Sequence, residues 1–519
     1  MRKEIEIRLS PEEAQKPSEF LKHIIRHSRQ KEKDIKSFKL IRRSIDARKP
    51  AIKIQMLFEF FLYEEAEEIE KIPVKYSVRS KPKSVLVIGA GPAGLYASLS
   101  LLERRIKPIL LERGKNVGER KMDIALLNKE HLVNPESNYC FGEGGAGTFS
   151  DGKLYTRSSK RGNVKHILDV FVAHGADPDI LIDAHPHLGT NKLSGIIKNI
   201  RNTILDGGGE IHFETKVVDF IIKNRKVLGV IDQDGKEHFA DAVILATGHS
   251  ARDIYYLLDN KGIQLEAKDF AMGVRIEHPQ QLINTIQYHS PIKNPHLPTA
   301  SYNLVCQAQN RGVFSFCMCP GGIIVPSATG PNQVVVNGMS NAERSSPYAN
   351  SGIVVSILQE DLQDFKAYGV FAGLKYQEEL ELLAYKAGGE TQTAPAQRMI
   401  DFVNQKLSNS LPQTSYIPGV KSAPLHQILP SSLSNRLSEA FQLFGKKMQG
   451  YYTDEAVILG VESRTSSPLR IPRDKESMEH IQFQNLYPVG EGAGYAGGIV
   501  SSAIDGYNAG QILAQKLNS

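Results

Sequence analysis

Cysteine is scarce. The 519 residues carry four, Cys140, Cys306, Cys317 and Cys319, too few and too unevenly placed for a disulfide framework or a four-thiolate metal site. No stretch approaches the roughly 18 uninterrupted apolar residues of a membrane span. The opening MRKEIEIRLS alternates charge with isoleucine and offers no apolar leader core. Zinc-ligand spacing, a P-loop and a nucleophile elbow are absent as well, so no metal and no membrane partner is expected, and the expected location is cytoplasmic. What is present is ordinary for a folded chain. Apolar residues make up 41% and charged residues 23%, with 43 Gly and 26 Pro, the balance of a globular protein of several domains.

The net charge of +6 is unevenly spread, because residues 1–83 hold 21 Lys and Arg against 14 Asp and Glu, leaving the rest nearly neutral. In this basic segment KEIEIRL alternates as a strand, Phe20, Leu21, Ile24 and Ile25 recur at helical spacing, and 35–45 and 51–63 read as two more strands. The expectation is a β-α-β-β (ferredoxin-like) module over 1–80, ending at the acidic helical turn EEAEEIEK. Arg42, Arg43, Arg48 and Lys49 cluster at a hairpin. They would suit a phosphate-rich partner such as RNA, or serve as a solvated edge that discourages strand pairing. No aromatic ladder or nucleic-acid motif accompanies them, so nucleic acid is not an expected partner.

From residue 84 the pattern sharpens. The apolar run Val85 to Ile88 leads directly into Gly89-x-Gly91-x-x-Gly94, then a helix and a second strand closing on Glu112. In such a βαβ unit the first glycine makes the turn, the second admits a pyrophosphate, and the third lets helix and strand pack closely. Pro92 suits the first helical turn, with Ala93 beside it, and the orphan amides there face phosphate oxygens. Glu112 can accept hydrogen bonds from an adenosine ribose, while Arg113 leaves a 2′-phosphate open.

Two distant segments choose between nucleotides. KEHFADAVILATG stops a buried strand at Ala246-Thr247-Gly248, and NLYPVGEGAGYAGGIVSSAIDGYNAG gives a strand, an acid and a helix of small residues. Here the chain resembles the glutathione-reductase-type FAD-binding fold, an α/β Rossmann-like domain. That resemblance implies FAD, with Gly490 and Glu491 standing where the fold has Gly-Asp beside the ribityl chain. It also implies that the helix opening at Gly498 and Ile499 points at the flavin pyrimidine edge. The alternative is an ordinary tightly packed helix whose small face, Ser502, Gly506, Ala509 and Leu513, meets a strand or a ligand. A meander over 210–245 precedes the ATG strand, and Val217 is expected to give backbone contacts to adenine.

Residues 140–155, CFGEGGAGTFSDGKLY, place five glycines between positions 142 and 152. Such density lets backbone lie flat on a planar ring, so Gly145, Gly147, Ser150 and Asp151 join the expected cofactor contacts. The stretches RRSIDARKP, VIGAGPAG, LERG, FGEGGAGTFSDGKL, ATGHSARD, FSFCMCPGG and GVESRTSSPLRIPRD together resemble the bacterial family of largely uncharacterised FAD-dependent dehydrogenases. The resemblance implies FAD and leaves the substrate unnamed.

An FAD domain over 84–265 and 471–519 is expected, interrupted by a mixed α+β insertion over 266–470. The insertion reads as strands at 270–276, 300–306, 312–318 and 333–338 and helices at 351–365 and 395–407. Three features there and beside it invite chemistry. Cys317 and Cys319 fall on one face of a strand, as small core residues or as a strained dithiol relay to flavin. His249, after the ATG strand with Arg252 and Asp253, is a proton-donor candidate or a solvated loop residue. Arg464 would bind a substrate carboxylate bidentately, or pair with Glu462. No second G-x-G-x-x-G follows a strand, so any NAD(P)H would dock transiently. The expected activity is an FAD-dependent oxidoreductase moving a hydride between flavin N5 and a small organic substrate, the alternative being a flavin-binding regulator or RNA-associated protein.

Overall fold

The computed structural model describes residues 1–65, 76–156 and 162–519, so most of the expected acidic turn lies outside the described residues. The N-terminal segment forms β1 (Arg2–Leu9), α1 (Phe20–Ser28), β2 (Ile35–Asp46) and β3 (Lys53–Leu62), an antiparallel sheet in the order β1-β3-β2. Phe20 and Ile24, one helical turn apart on α1, pack with Met56, Phe58 and Phe60 of β3.

The basic hairpin is not a free cationic surface. Arg43 pairs with Asp183 at 2.8 Å and Asp179 at 2.9 Å, Arg48 with Asp46 at 2.7 Å, and Arg42 with Glu6 at 3.4 Å. The Arg43 amide also donates to Ile182 O, and Ala184 N to Arg43 O, so the edge of β2 is used to dock the module onto the body. The RNA alternative loses its charge argument here, because each of these arginines already has a carboxylate.

The body begins with β4 (Ser84–Ile88), α2 (Pro92–Glu103), β5 (Lys107–Leu111), β6 (Glu210–His212), β7 (Ala242–Leu245) and α3 (Arg252–Asn260). An insertion then supplies β8 (Phe270–Pro279), β9 (Val305–Ala308), β10 (Arg311–Cys319), β11 (Tyr348–Ile357), α4 (Ala372–Gly388), β12 (Ala394–Arg398), β13 (Val420–Ser422) and β14 (Val457–Glu462). The chain ends on β15 (Leu486–Pro488) and α5 (Ile499–Asn518). One sheet is parallel throughout, β15-β7-β4-β5-β6, and the insertion builds a seven-stranded sheet, β9-β10-β11-β8-β14-β12-β13. Glu266–Ala267 pairs with Leu469–Arg470 where the chain enters and leaves the insertion.

Two helical expectations hold only in part. Residues 351–357 are strand, because β11 lies between β10 and β8 with Ile353, Val354 and Val355 fully buried, and a 3-10 helix begins only at Gln359. A strand covered on both faces shows no period-two alternation, and its apolar run imitates a helix. Residues 395–407 likewise start as β12 before a short helix, Met399–Val403.

Parallel pairing has one decisive consequence: the turns after β4, β5, β7 and β15 all emerge on the same edge of the sheet. Gly89 stands there with φ +104°, and a Cβ on Gly94 would lie 1.9 Å from Gly89 O, so the helix can approach only through a glycine. The small face of α5 packs on α2. A Cβ on Gly506 would sit 1.9 Å from Ala93 O, and one on Gly510 2.8 Å from Ala97 O. This crossing draws the N-termini of α2 and α5 together. Gly506→Val should therefore cost about 1–3 kcal/mol or more through overpacking, read as a lowered denaturation midpoint in urea at an unchanged m-value.

Candidate functional site

The sheet edge opens on a cavity of about 420 Å³ lined by the glycine turn, the loop 140–153, Val217, the ATG turn, β10, Arg464 and the start of α5. The loop 140–153 is held from beneath by Arg120, which is fully buried. Its Nε donates to Asn138 O at 2.7 Å and its Nη1 to the carbonyls of Glu143 and Gly145 at 2.9 Å each. Burial pushes this guanidinium down to about 10, which still leaves it charged at neutral pH. A Cβ at Gly142 would lie 2.6 Å from Arg120 Cδ, so the loop can close over the arginine only with glycine there. Nothing local in LERGKNVGERK marks Arg120 for this task, and sequence reasoning missed it.

Glu112 lines the cavity with its carboxylate tied to three backbone amides: Oε2 accepts from Ala90 N at 2.7 Å, and Oε1 from Gly114 N at 2.9 Å and Gly142 N at 3.0 Å. A carboxylate offers about four acceptor positions, so Oε2 retains one toward the cavity. Arg113 is committed elsewhere, bidentate to Asp253 at 2.9 Å and bound to Glu136 at 2.6 Å, with its guanidinium 4.3 Å from the Phe141 ring centroid. Lys216 also pairs with Glu136 at 2.6 Å. The 2′-phosphate option thus finds its cation neutralised by two carboxylates, Asp253 and Glu136.

The glycine turn and the glycine loop face each other. A Cβ on Gly91 would meet only Gly145 Cα, at 3.9 Å, and one on Gly145 would lie 3.2 Å from Gly91 Cα. Side chains at either position would fill the passage between the loops, which is the shape a pyrophosphate requires. Helix α2 starts at Gly91 with no side-chain cap and no acid in its first turn, and α5 starts at Gly498 in the same manner. Two positive helix ends therefore converge on one cavity. Gly147, Thr247, Gly248, Gly490 and Ile499 line it as expected, and these residues fit a dinucleotide cofactor.

Other expected contacts are spent on the protein itself. Ser150 Oγ donates to Gly147 O at 2.7 Å and accepts from Gly152 N at 3.0 Å. Asp151 is buried, bound to Arg344 at 2.7 Å and to Ser340, and so fastens the loop to the insertion. Glu491 accepts from the Gly498 amide and lies 3.2 Å from His249 Nδ1. Burial alone would raise this carboxyl, but His249 and the Gly498 amide hold it below the usual range. His249 Nε2 hydrogen-bonds Arg464 O at 3.1 Å, so both ring nitrogens face partners within the protein.

Arg464 is not available to a substrate carboxylate, nor does it pair with Glu462. Its guanidinium meets Glu381 at 3.2 and 3.1 Å, Thr329 at 2.7 Å and Gln333 at 2.8 Å, whereas Glu462 belongs to Arg275 at 3.0 Å. Glu381, fully buried on α4, is clamped from the other side by Arg252 of α3 through two contacts of 2.8 Å. Burial would raise its carboxyl, yet the two guanidiniums outweigh that and hold it down to about 2.

A parallel sheet whose C-terminal turns and two helix N-termini surround one cavity defines a nucleotide-cofactor-binding α/β protein. Family models match three segments: pyridine nucleotide-disulphide oxidoreductase over 83–254, FAD-dependent protein, C-terminal domain-like, over 269–465, and a domain of unknown function over 1–61. An uncharacterised protein of Clostridium beijerinckii is 39% identical over 519 residues, covering 96% of each chain. The chain belongs to this family of uncharacterised FAD-dependent proteins, with FAD as cofactor and oxidoreductase as its class. Among solved structures, the flavin-dependent brominase Bmp2 is 13% identical, covering 85% of this chain and 80% of that one, with a TM-score of 0.36. A geranylgeranyl bacteriochlorophyll reductase-like protein of Thermoplasma acidophilum is also 13% identical, covering 84% and 79%, with a TM-score of 0.36. No helix among the described residues is long and apolar enough to cross a membrane.

The Glu381 clamp makes a pH prediction. A carboxylate whose folded value lies near 2, against an ordinary 4.5, stabilises the fold above pH 4.5 and loses that contribution as pH falls toward 2. Glu381→Gln leaves two buried guanidiniums without their anion and should cost about 3–5 kcal/mol at neutral pH. Urea unfolding from pH 7 down to 3 should show the gap between variant and wild type narrowing as the acid limit is approached.

Proposed function

We propose that the protein binds FAD in the 420 Å³ cavity and transfers a hydride between flavin N5 and a small organic substrate, with NAD(P)H docking transiently rather than in a domain of its own. The observation that carries this reading is the facing pair of glycine loops, at Gly91 and Gly145, set between two uncapped helix N-termini. FAD supplies the two-electron chemistry; the chain supplies position and field.

In this reading the subfold is of the glutathione-reductase type. The free acceptor position of Glu112 meets an adenosine ribose hydroxyl, Gly89, Gly91, Pro92, Ala93 and Gly94 hold the pyrophosphate, and backbone at Val217 borders the adenine. Gly145, Gly147, Ser150 and Asp151 bring the loop beside the ring system, with Thr247, Gly248, Gly490, Gly498 and Ile499 on its other sides. Arg113, Glu491, His249 and Arg464 are positioning residues that brace these turns. The chain divides into a ferredoxin-like module over 1–80, an FAD domain over 84–265 and 471–519, and a substrate domain over 266–470. The pairing of Glu266–Ala267 with Leu469–Arg470 supports the last division.

Gly91→Val places a branched side chain in the pyrophosphate passage and should abolish FAD retention through gel filtration while leaving the far-ultraviolet circular dichroism unchanged. Retention equal to wild type would remove the phosphate role from this turn. Anaerobic stopped-flow mixing with NADH and NADPH tests the electron source. Saturable bleaching of the flavin band that competes with substrate is expected, and no bleaching over minutes would exclude both nucleotides as donors.

A further inference from the structure

One cluster in the cavity is left over by this reading. Strand β10 carries a bulge: Phe316 pairs with Gly352 and Cys319 with Asn350, so three steps on one strand oppose two on the other. Cys317, inside the bulge, has φ +44°. Among the described residues it is the one non-glycine residue with positive φ inside a strand, the others standing in turns and caps. Such conformations persist where the surroundings over-determine them, and they gather at functional sites.

The bulge overturns the core reading for Cys317 and not for Cys319. Met318 fills the core of the insertion, while Cys317 is exposed and faces the cavity. Cys319 is buried yet lines the same cavity, and its Sγ lies 3.2 Å from Cys317 O, folded back on the residue it would bridge. Beneath them Arg275, fully buried, donates to Cys317 O at 2.8 Å and reaches Cys319 Sγ at 3.4 Å. A guanidinium in that place favours a thiolate. Lys153, at the end of the glycine loop, donates to Met318 O and so ties that loop to the bulge. Both thiols are free, and burial pushes that of Cys319 up to about 11, so it keeps its proton at neutral pH.

We propose that Cys317 and Cys319 form a dithiol–disulfide couple that passes two electrons between bound FAD and a small thiol or disulfide compound entering the cavity, an assignment that rests on the flavin reading above. In one direction two S–H bonds break and one S–S bond forms. Two electrons and one proton pass to oxidised flavin, and the second proton leaves to solvent. A dithiol substrate then attacks the exposed Cys317 sulfur, breaking the Cys317–Cys319 bond. Its second thiol resolves the mixed disulfide, restoring the protein dithiol and leaving the substrate as its own disulfide. The reduced flavin returns its two electrons as a hydride to the acceptor of the proposed reaction, and every step runs in reverse when a disulfide is the substrate.

The test uses the FAD-loaded protein and two serine variants, Cys317→Ser and Cys319→Ser. After mild oxidation with diamide, peptide mapping without reductant should yield the Cys317–Cys319 cross-link in wild type. Anaerobic dithionite titration should then take up four electrons per wild-type chain and two per variant chain, a loss of two electrons with the flavin content unchanged. Dithiothreitol, as the probe thiol, should bleach the flavin of the wild type and of neither variant. A two-electron wild-type titration together with no cross-link would overturn the proposal, and neither wild-type reading depends on the variants folding. The outcomes also separate the two claims. Two-electron uptake with flavin reducible by a hydride donor sinks the dithiol alone, whereas four-electron uptake with flavin that no hydride donor reduces sinks the hydride reading alone.

Discussion

The carboxylate of Glu112 is the point on which the cofactor region turns. It accepts from Ala90 in the glycine turn, from Gly114 beyond β5, and from Gly142 in the loop that crosses from below. The glycine turn and the loop 140–153 are thereby fixed to one side chain, buried at 5% exposure, 22 and 30 residues from their donors. A buried carboxylate is costly unless it is satisfied, and here three amides satisfy it. The same bonds meet the needs of amides that a sharp glycine turn leaves without helical or sheet partners.

A second constraint joins the halves of the molecule. Glu381 belongs to the insertion, Arg252 to the sheet domain, and Arg464 to the chain on its way back. Glu381 is the anion both guanidiniums share, so its loss leaves two buried charges without it. Arg464 O in turn accepts from His249, and His249 stands against Glu491, whose other oxygen holds the Gly498 amide. The start of α5 is thus positioned through a chain of contacts that begins deep between the domains. The five side chains in this chain of contacts brace the cavity.

The β4-α2-β5 unit was legible because its information is local. A strand, three glycines at fixed spacing and an acid lie within 29 residues, each placed by steric rules that need no partner from elsewhere. The fates of Arg113, Arg464 and Glu491 were not legible, because a guanidinium or carboxylate in a loop says nothing of its partner. Arg113 finds Asp253 140 residues on, and Arg252 finds Glu381 129 residues on. Strand β11 was lost for a different reason, since burial on both faces erases alternation. Cys317 illustrates a third kind of loss. Alternation along FSFCMC assumes a regular ladder, and a bulge changes which side chains face the cavity without leaving any mark in composition.

These pairings also decide what field the cavity presents. Arg113 and Lys216 are paired with Glu136 and Asp253, Arg464 and Arg252 with the single carboxylate of Glu381, Arg275 with Glu462, and Arg344 with Asp151. To these side chains the backbone adds a potential of its own, from the first amides of α2 and α5, drawn together by Gly506 and Gly510 against Ala93 and Ala97. A positive field built from peptide dipoles is fixed in direction, needs no counter-ion of its own, and costs nothing to reorganise when an anionic group arrives. The glycines of α5 therefore act on the cofactor site from a distance: they allow the helix crossing, and the crossing aims the field.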